Sequence, residues 1–223
     1  MLEAITRALI PAGAVQLNGD LNIPASARGL VVFVHGSGSS RLSPRNVFVA
    51  DELQKSGFAT LLFDLLTPEE DRDYQTRFDI DLLTSRLVMA IQWIDEQHNL
   101  APLPTGLFGA STGAAAALRG AAELGGRIAA VVSRGGRPDL AAADLHIVAT
   151  PCLFIVGGHD PEVLNLNRQA MRALPESTVK HLEIVQGATH LFEEPGTLEQ
   201  VAKLAGDWFV RYAARPDARW EGC

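Results

Sequence analysis

The sequence predicts an α/β fold: a largely parallel sheet covered by helices on both faces. Three observations carry this. Strand-like and helix-like segments alternate from Gly29 to the last helix. The middle strands, such as "GLVVFVHG" and "PCLFIVGG", are continuous apolar runs, as expected of strands buried on both faces. The 223 residues contain no internal repeat and no low-complexity linker. A single domain over 1–223 is therefore expected, with N-terminal strands in 1–27 and a frayed tail at 215–223.

The elements follow in order. "ITRALIP" and "AVQLNGDLNIP" read as strands, and Asn18-Gly19 in the second is a hairpin-type signal. "GLVVFVHG", Gly29 to Gly36, is a buried strand. "SPRNVFVADELQKSG" is a helix with Ser43 as N-cap, Pro44 at the first position and a stop at Gly57. "FATLLFDLL" is a strand. "DIDLLTSRLVMAIQWIDEQ" spaces Leu82, Leu83, Leu87, Ile91 and Ile94 for a helix face. "TGLFGAS" is a strand and "TGAAAALRGAAEL" a helix. "RIAAVVSRGG" and "PCLFIVGG" are strands, "PEVLNLNRQAMRAL" a helix, "TVKHLEIV" a strand and "LEQVAKLAGDWFVRYAA" the closing helix.

Composition excludes several function classes. A net charge of −7 gives a nucleic-acid role no electrostatic support. The two cysteines, Cys152 and Cys223, form no CxxC and no Cys/His cluster, so neither a disulfide framework nor a metal site is suggested. The segment "MLEAITRALIPAG" carries Glu3 and Arg7 among its apolar residues, unlike a secretory signal, and no run reaches transmembrane length. The expectation is a cytoplasmic protein with reduced thiols, a monomer or homodimer without membrane or nucleic-acid partner. The acidic stretch Glu69 to Asp73 reads as a solvated loop face.

The chemistry-bearing segment is "LFGASTGAAAAL". Gly109-Ala110-Ser111-Thr112-Gly113 fits G-x-S-x-G, with a strand running in and a helix running out. Small flanking residues allow the tight, strained turn that lifts a serine hydroxyl to a helix N-terminus, where developing negative charge is favoured. A bland reading, a helix-capping serine, explains Ser111 but not both glycines. A nucleophile needs a base. Of the six histidines, His190 in "QGATHLF" follows the last strand at its carboxyl end, where open parallel sheets gather their chemistry. His159 is the second choice; His98, His146 and His181 sit at the wrong places. Asp160, after "LFIVGGH", lies between Ser111 and His190 in the order Ser…Asp…His. It competes with its own role as N-cap of the next helix. Glu193 and Glu194 follow the histidine and are weaker choices. The turn "HGSGSS" offers backbone N–H groups: Ser37, with Thr112, is the first choice for an oxyanion hole, and Gly38 the alternative to Ser37. His35, Gly38, Arg41 and Arg134 are candidate substrate contacts. For Arg41, Arg45 and Arg134 a plain surface role competes.

"VVFVHGSGSSR" also approaches a dinucleotide fingerprint, and Asp64 ends the next strand where a ribose-binding acid would sit. Arg41 stands where the third glycine belongs, and the next helix begins too late to face a pyrophosphate. No cofactor is expected.

Together "HGSGSSRLSPRN", "FDLLTPEE", "GASTGAAAAL", "SRGGRPDL", "VGGHDPEV" and "THLFEEPG" resemble the dienelactone-hydrolase-like branch of the α/β-hydrolases, from about residue 13 to residue 213. The resemblance implies an eight-stranded, mostly parallel sheet with its second strand antiparallel. It also implies Ser111, Asp160 and His190 as a triad. Dienelactone hydrolases proper use a cysteine nucleophile where this chain has Ser111; Cys152 lies in another strand and reads as core. The short link from "VVSRGG" to "PCLFIVGG" implies little or no cap domain. The expected activity is hydrolysis of a small ester through an acyl-enzyme. The competing class is a ligand-binding protein on a hydrolase scaffold.

Overall fold

The computed structural model describes residues 5–215. Eight strands form one sheet in the order β1-β2-β4-β3-β5-β6-β7-β8. They are β1 (Thr6–Ala12), β2 (Val15–Asn22), β3 (Gly29–Val34), β4 (Phe58–Phe63), β5 (Thr105–Ala110), β6 (Ile128–Arg134), β7 (Cys152–Gly157) and β8 (Lys180–Val185). β2 runs antiparallel to both β1 and β4, and every pairing from β4 through β8 is parallel. β3, β4, β5 and β7 are buried along their whole length, which is why their sequences are continuous apolar runs. The edge strand β1 alternates exposed and buried residues instead.

Helices α1 (Pro44–Lys55) and α5 (Thr197–Tyr212) cover one face, where Val49, Leu53, Val201 and Phe209 meet Val31, Phe58 and Val132. Helices α2 (Ile80–Asp95), α3 (Thr112–Leu124) and α4 (Pro161–Ala173) cover the other, where Leu87, Ile91, Ala116 and Ala170 meet Val32, Leu107 and Phe154. The segment between β6 and β7 holds two short helical turns, Pro138–Ala141 and Leu145–Ile147, and no inserted domain. Every parallel strand therefore ends at one rim of the sheet, and that rim is open.

Two local expectations are corrected, and a third holds in position only. Asn18-Gly19 does not turn. Both residues lie inside β2, opposite Leu9 and Ala8, and the hairpin closes at Gly13-Ala14, with Gly13 at φ +67°. Gly19 serves packing: a Cβ there would come within 3.2 Å of Leu61 and 3.4 Å of Ile10. Ser43 stands at the N-cap position of α1, but its side chain makes no capping bond; the first turn relies on Pro44. The stretch Glu69 to Asp73 is only partly solvated. Glu70 pairs with the buried Arg86 at 2.8 Å, and Asp71 with Arg77 at 3.0 Å. Of the expected frayed tail, 216–223, with Cys223, lies outside the described residues; Arg215 is held by its N–H on the Arg28 carbonyl at 2.7 Å.

Candidate active site

Ser111 sits between β5 and α3 at φ +51°, ψ −122°, a conformation costing roughly 1–3 kcal/mol for a residue with a Cβ. The surrounding backbone holds it there. Its N–H donates to the Arg134 carbonyl at 3.2 Å, and its own carbonyl accepts from the Arg137 and Ala114 N–H groups at 3.0 and 3.1 Å. The glycines of the motif are steric necessities. A Cβ on Gly113 would stand 2.1 Å from the Val34 carbonyl oxygen, and one on Gly109 2.5 Å from Ala114 Cα. The Ser111 side chain does not cap α3, which leaves the hydroxyl free for other work.

The other two candidates meet at the same rim. His190 Nδ1 lies 2.6 Å from Asp160 Oδ2, and the two side chains are 38% and 14% exposed. Asp160 is the N-cap residue of α4 by position, but its carboxylate does not cap the helix; it goes to the imidazole. That contact places the Nδ1 proton toward the carboxylate and leaves Nε2 as the ring's acceptor. Gly157, at the end of β7, makes the meeting possible. Its missing Cβ would stand 2.4 Å from the Ala188 carbonyl, and the His159 N–H donates to that same oxygen. Gly135, the residue after Arg134, lies beneath the imidazole, its ideal Cβ position 3.4 Å from His190 Cε1. The end of β6 thus touches Ser111 through Arg134 and His190 through Gly135.

His159 is exposed, and its nearby charge acts on the Glu194 carboxyl. Glu193 pairs with Arg45 at 3.1 Å. Glu194 accepts the Thr189 N–H at 3.1 Å, and Thr189, through its side chain first and its N–H second, holds that carboxyl below its usual range. Neither glutamate is bonded to His190. Cys152 is buried, its Sγ on the Thr150 carbonyl at 3.2 Å; burial pushes its thiol up to about 12, so it is inert at neutral pH.

The loop after β3 lies against the serine turn. A Cβ on Gly36 would approach the Ala110 carbonyl to 2.9 Å and Ser111 Cβ to 3.0 Å. Ser37 N–H points at the same place but is occupied: it donates to the buried Thr112 hydroxyl at 2.8 Å. Sequence reasoning missed this bond between residues far apart in the chain. Thr112 is the first residue of α3, so its N–H has no carbonyl within the helix. His35 is a support rather than a substrate contact. Its Nδ1–H donates to the Gly36 carbonyl at 2.9 Å, and its Nε2 accepts the Leu65 N–H at 3.0 Å. Both ring nitrogens are spent, and burial holds its pKa below the usual 6.5. Arg41 is likewise committed: Nε pairs with Asp20 at 3.2 Å, and the guanidinium and backbone N–H both reach Asp64. That ion pair also uses the acid that a ribose would need. Gly38 takes φ +67° in the same loop.

Arg134 differs. Its side chain is buried over the Phe192 ring, and among the described residues its Nε and Nη1 have no hydrogen-bond partner. A hollow of about 200 Å³ opens beside His35, Ser39, Asp64 and Thr67. Larger surface grooves, of about 460 and 400 Å³, run along α5 and contain none of the candidate residues. Among the described residues, no cluster of His, Cys, Asp and Glu is placed to hold a metal, and no helix is long and apolar enough to cross a membrane.

A sheet of this order with its second strand reversed, and a strained serine at the carboxyl end of β5, defines the α/β-hydrolase class. Within that class the chain belongs to the dienelactone hydrolase family, whose model matches residues 17–213. It is 51% identical to the dienelactone hydrolase of Anabaena variabilis, whose crystal structure superposes with a TM-score of 0.92 over 96% of this chain and 100% of that one. The Est1E protein of Butyrivibrio proteoclasticus shares the fold, with a TM-score of 0.78 at 14% identity over 92% of this chain and 98% of its own. The chain is also 56% identical, over 93% of its length, to Mycobacterium tuberculosis proteins named "Putative phosphoribosyl transferase". It spans 46% of their length, less than half.

Proposed function

We propose that this chain is a serine hydrolase that cleaves small carboxylic esters through an acyl-enzyme, with residues 1–223 acting as one domain. The observation that carries the reading is the use of Asp160. A residue placed to cap α4 gives its carboxylate to His190 instead, on the rim that also holds the strained Ser111.

In this mechanism His190 Nε2 takes the Ser111 hydroxyl proton as Oγ attacks the ester carbonyl. Asp160 holds the imidazole in the required tautomer and stabilises its cation. The oxyanion is held by the N–H groups of Thr112 and Ser37, the latter exchanging its bond to the Thr112 hydroxyl for one to the substrate. The tetrahedral intermediate collapses, and His190 returns the proton to the leaving alcohol. Water then attacks the acyl-enzyme, giving a proton to His190; the second tetrahedral intermediate collapses, releasing the carboxylic acid as His190 returns that proton to Ser111 Oγ. No cofactor enters any step. The open rim supports small, accessible esters. The transferase name belongs to mycobacterial proteins of which this chain spans 46%.

The test is turnover of 4-nitrophenyl acetate by the wild-type chain and by Ser111→Ala. Turnover that disappears in the variant supports the reading. Equal rates remove Ser111 as nucleophile, and stoichiometric ligand binding without turnover favours a binding protein on the same scaffold.

A further inference from the structure

Helix α5 turns one row of charged side chains to the outside. Glu199, Lys203, Asp207 and Arg211 are four residues apart and all exposed. The row spans about 18 Å of helix. Its two middle members, Lys203 and Asp207, pair at 2.6 Å along the helix. Its two end members have no ion pair among the described residues; Arg211 rests on the Tyr212 ring, whose centroid lies 5.2 Å from Cζ. The grooves of about 460 and 400 Å³ flank this row, one between α5 and α1, the other between α5 and β8. Apolar surface borders both. Val210 lines the first and Val179 the second, at 43% and 47% exposure.

A helix that faces only water accounts for such a charge row, but not for Gly206 in the middle of it. Glycine inside a helix is destabilising relative to alanine. Gly120 in α3 is required by the fold: a Cβ there would stand 2.8 Å from Leu87. A Cβ on Gly206 would meet nothing nearer than Leu53 at 3.8 Å and Ser56 at 3.9 Å, which is ordinary contact. The chain's own packing therefore has room for alanine at 206. Gly206 lines the first groove, and its missing methyl favours close approach of a backbone from outside.

The charges indicate whose backbone. Along the row they run minus, plus, minus, plus, a series complementary to its own reverse. A second α5 laid antiparallel, with a two-fold axis beside Ala205 and Gly206, sets Glu199 against the partner's Arg211 and Lys203 against the partner's Asp207. Two-fold symmetry makes each pair twice. The unpaired ends of the row thus find partners in a second copy. The net charge of −7 makes the general field between copies repulsive, so any attraction is local to this face.

We propose that α5 is the face through which two copies of this chain associate, antiparallel and in closest approach at Gly206. Neither groove contains Ser111, Asp160 or His190, so the rim stays open in the dimer. The inference does not depend on the esterase reading.

The experiment is sedimentation velocity of the whole chain over roughly 1–300 µM, the range in which a small interface assembles. Wild type moves from monomer to dimer within it. Lys203→Glu and Asp207→Lys each place like charges opposite one another, and each weakens association roughly 10-fold or more. Mixing these two variants restores a dimer, because each then meets the opposite charge on the other chain; an ion pair within one helix cannot be repaired by mixing. Gly206→Ala weakens association by a similar factor, yet melts at or above wild type in dilute solution. Wild type that stays monomeric throughout removes a second copy as the occupant and overturns the proposal. Single variants that dimerise like wild type, or a mixture that stays monomeric, overturn it as well. A lower melting temperature of dilute Gly206→Ala would give Gly206 to the chain's own packing and overturn the close approach.

Discussion

The serine side and the histidine side of the rim are built by different physics. Around Ser111 the constraint is steric. Gly113 and Gly109 press backbone against backbone, leaving no room for a methyl group at either position. Around His190 the constraint is polar. Asp160 holds the ring, Glu194 holds the Thr189 N–H, and Glu193 meets Arg45, all on side chains that face solvent in part. The loop also carries Phe192 at φ +56°. A nucleophile on a strained turn needs walls that do not relax, and close packing provides them at any pH or ionic strength. A base that must swap hydrogen bonds in each half-reaction suits charge-assisted bonds, which stay sensitive to both.

The comparison yields graded expectations. Ser111→Ala removes the covalent route and lowers kcat/KM roughly 10³-fold or more, read with 4-nitrophenyl acetate, without lowering the melting temperature. Asp160→Asn keeps the shape of the contact but reverses the imidazole tautomer. A loss of about 10³- to 10⁴-fold in kcat is expected, again with little change in melting. Gly113→Ala strikes the steric side. Its methyl meets the Val34 carbonyl, so stability falls by roughly 3 kcal/mol or the chain fails to accumulate folded, and added salt does not rescue it. Wild-type stability for this variant would show that the serine turn is softer than the histidine loop, inverting the comparison.

Glu194→Gln is the mildest change, and its sign follows from the carboxyl. In the fold Glu194 titrates below its usual 4.5, chiefly through hydrogen bonding to Thr189, its side chain first and its N–H second. Its contribution is complete above 4.5 and is lost as pH falls through the lower folded value. The variant should therefore show a modest rise in KM, within about threefold, at neutral pH and in low salt. In melting, wild type and variant should converge in acid and in high salt. A difference that persists unchanged in acid would place the loop's restraint in packing rather than charge.

Much of this molecule was legible from residue patterns because the deciding interactions are local or periodic. Apolar runs such as "GLVVFV" mark strands covered on both faces, and the spacing of Leu83, Leu87, Ile91 and Ile94 marks the buried side of α2. G-x-S-x-G between a strand and a helix gave the turn at Ser111. The order Ser…Asp…His, with each residue just beyond a strand end, gave the three candidates for one rim. What tertiary structure decided were competitions between partners distant in the chain. Asn18-Gly19 has the residues of a hairpin turn, but pairing of β1 with β2 moved the turn to Gly13-Ala14. Asp160 suits a helix cap or a histidine equally well, and the approach of β8's loop to Gly157 settled the choice. Ser37 lost its free N–H to a hydroxyl on Thr112 that no local pattern could place beside it. Arg41 and Arg134 look alike as letters, yet one is locked between two aspartates while the other is buried with no carboxylate partner among the described residues. Charge pairing depends on which side chains the sheet order brings together, and that order is a property of the whole chain.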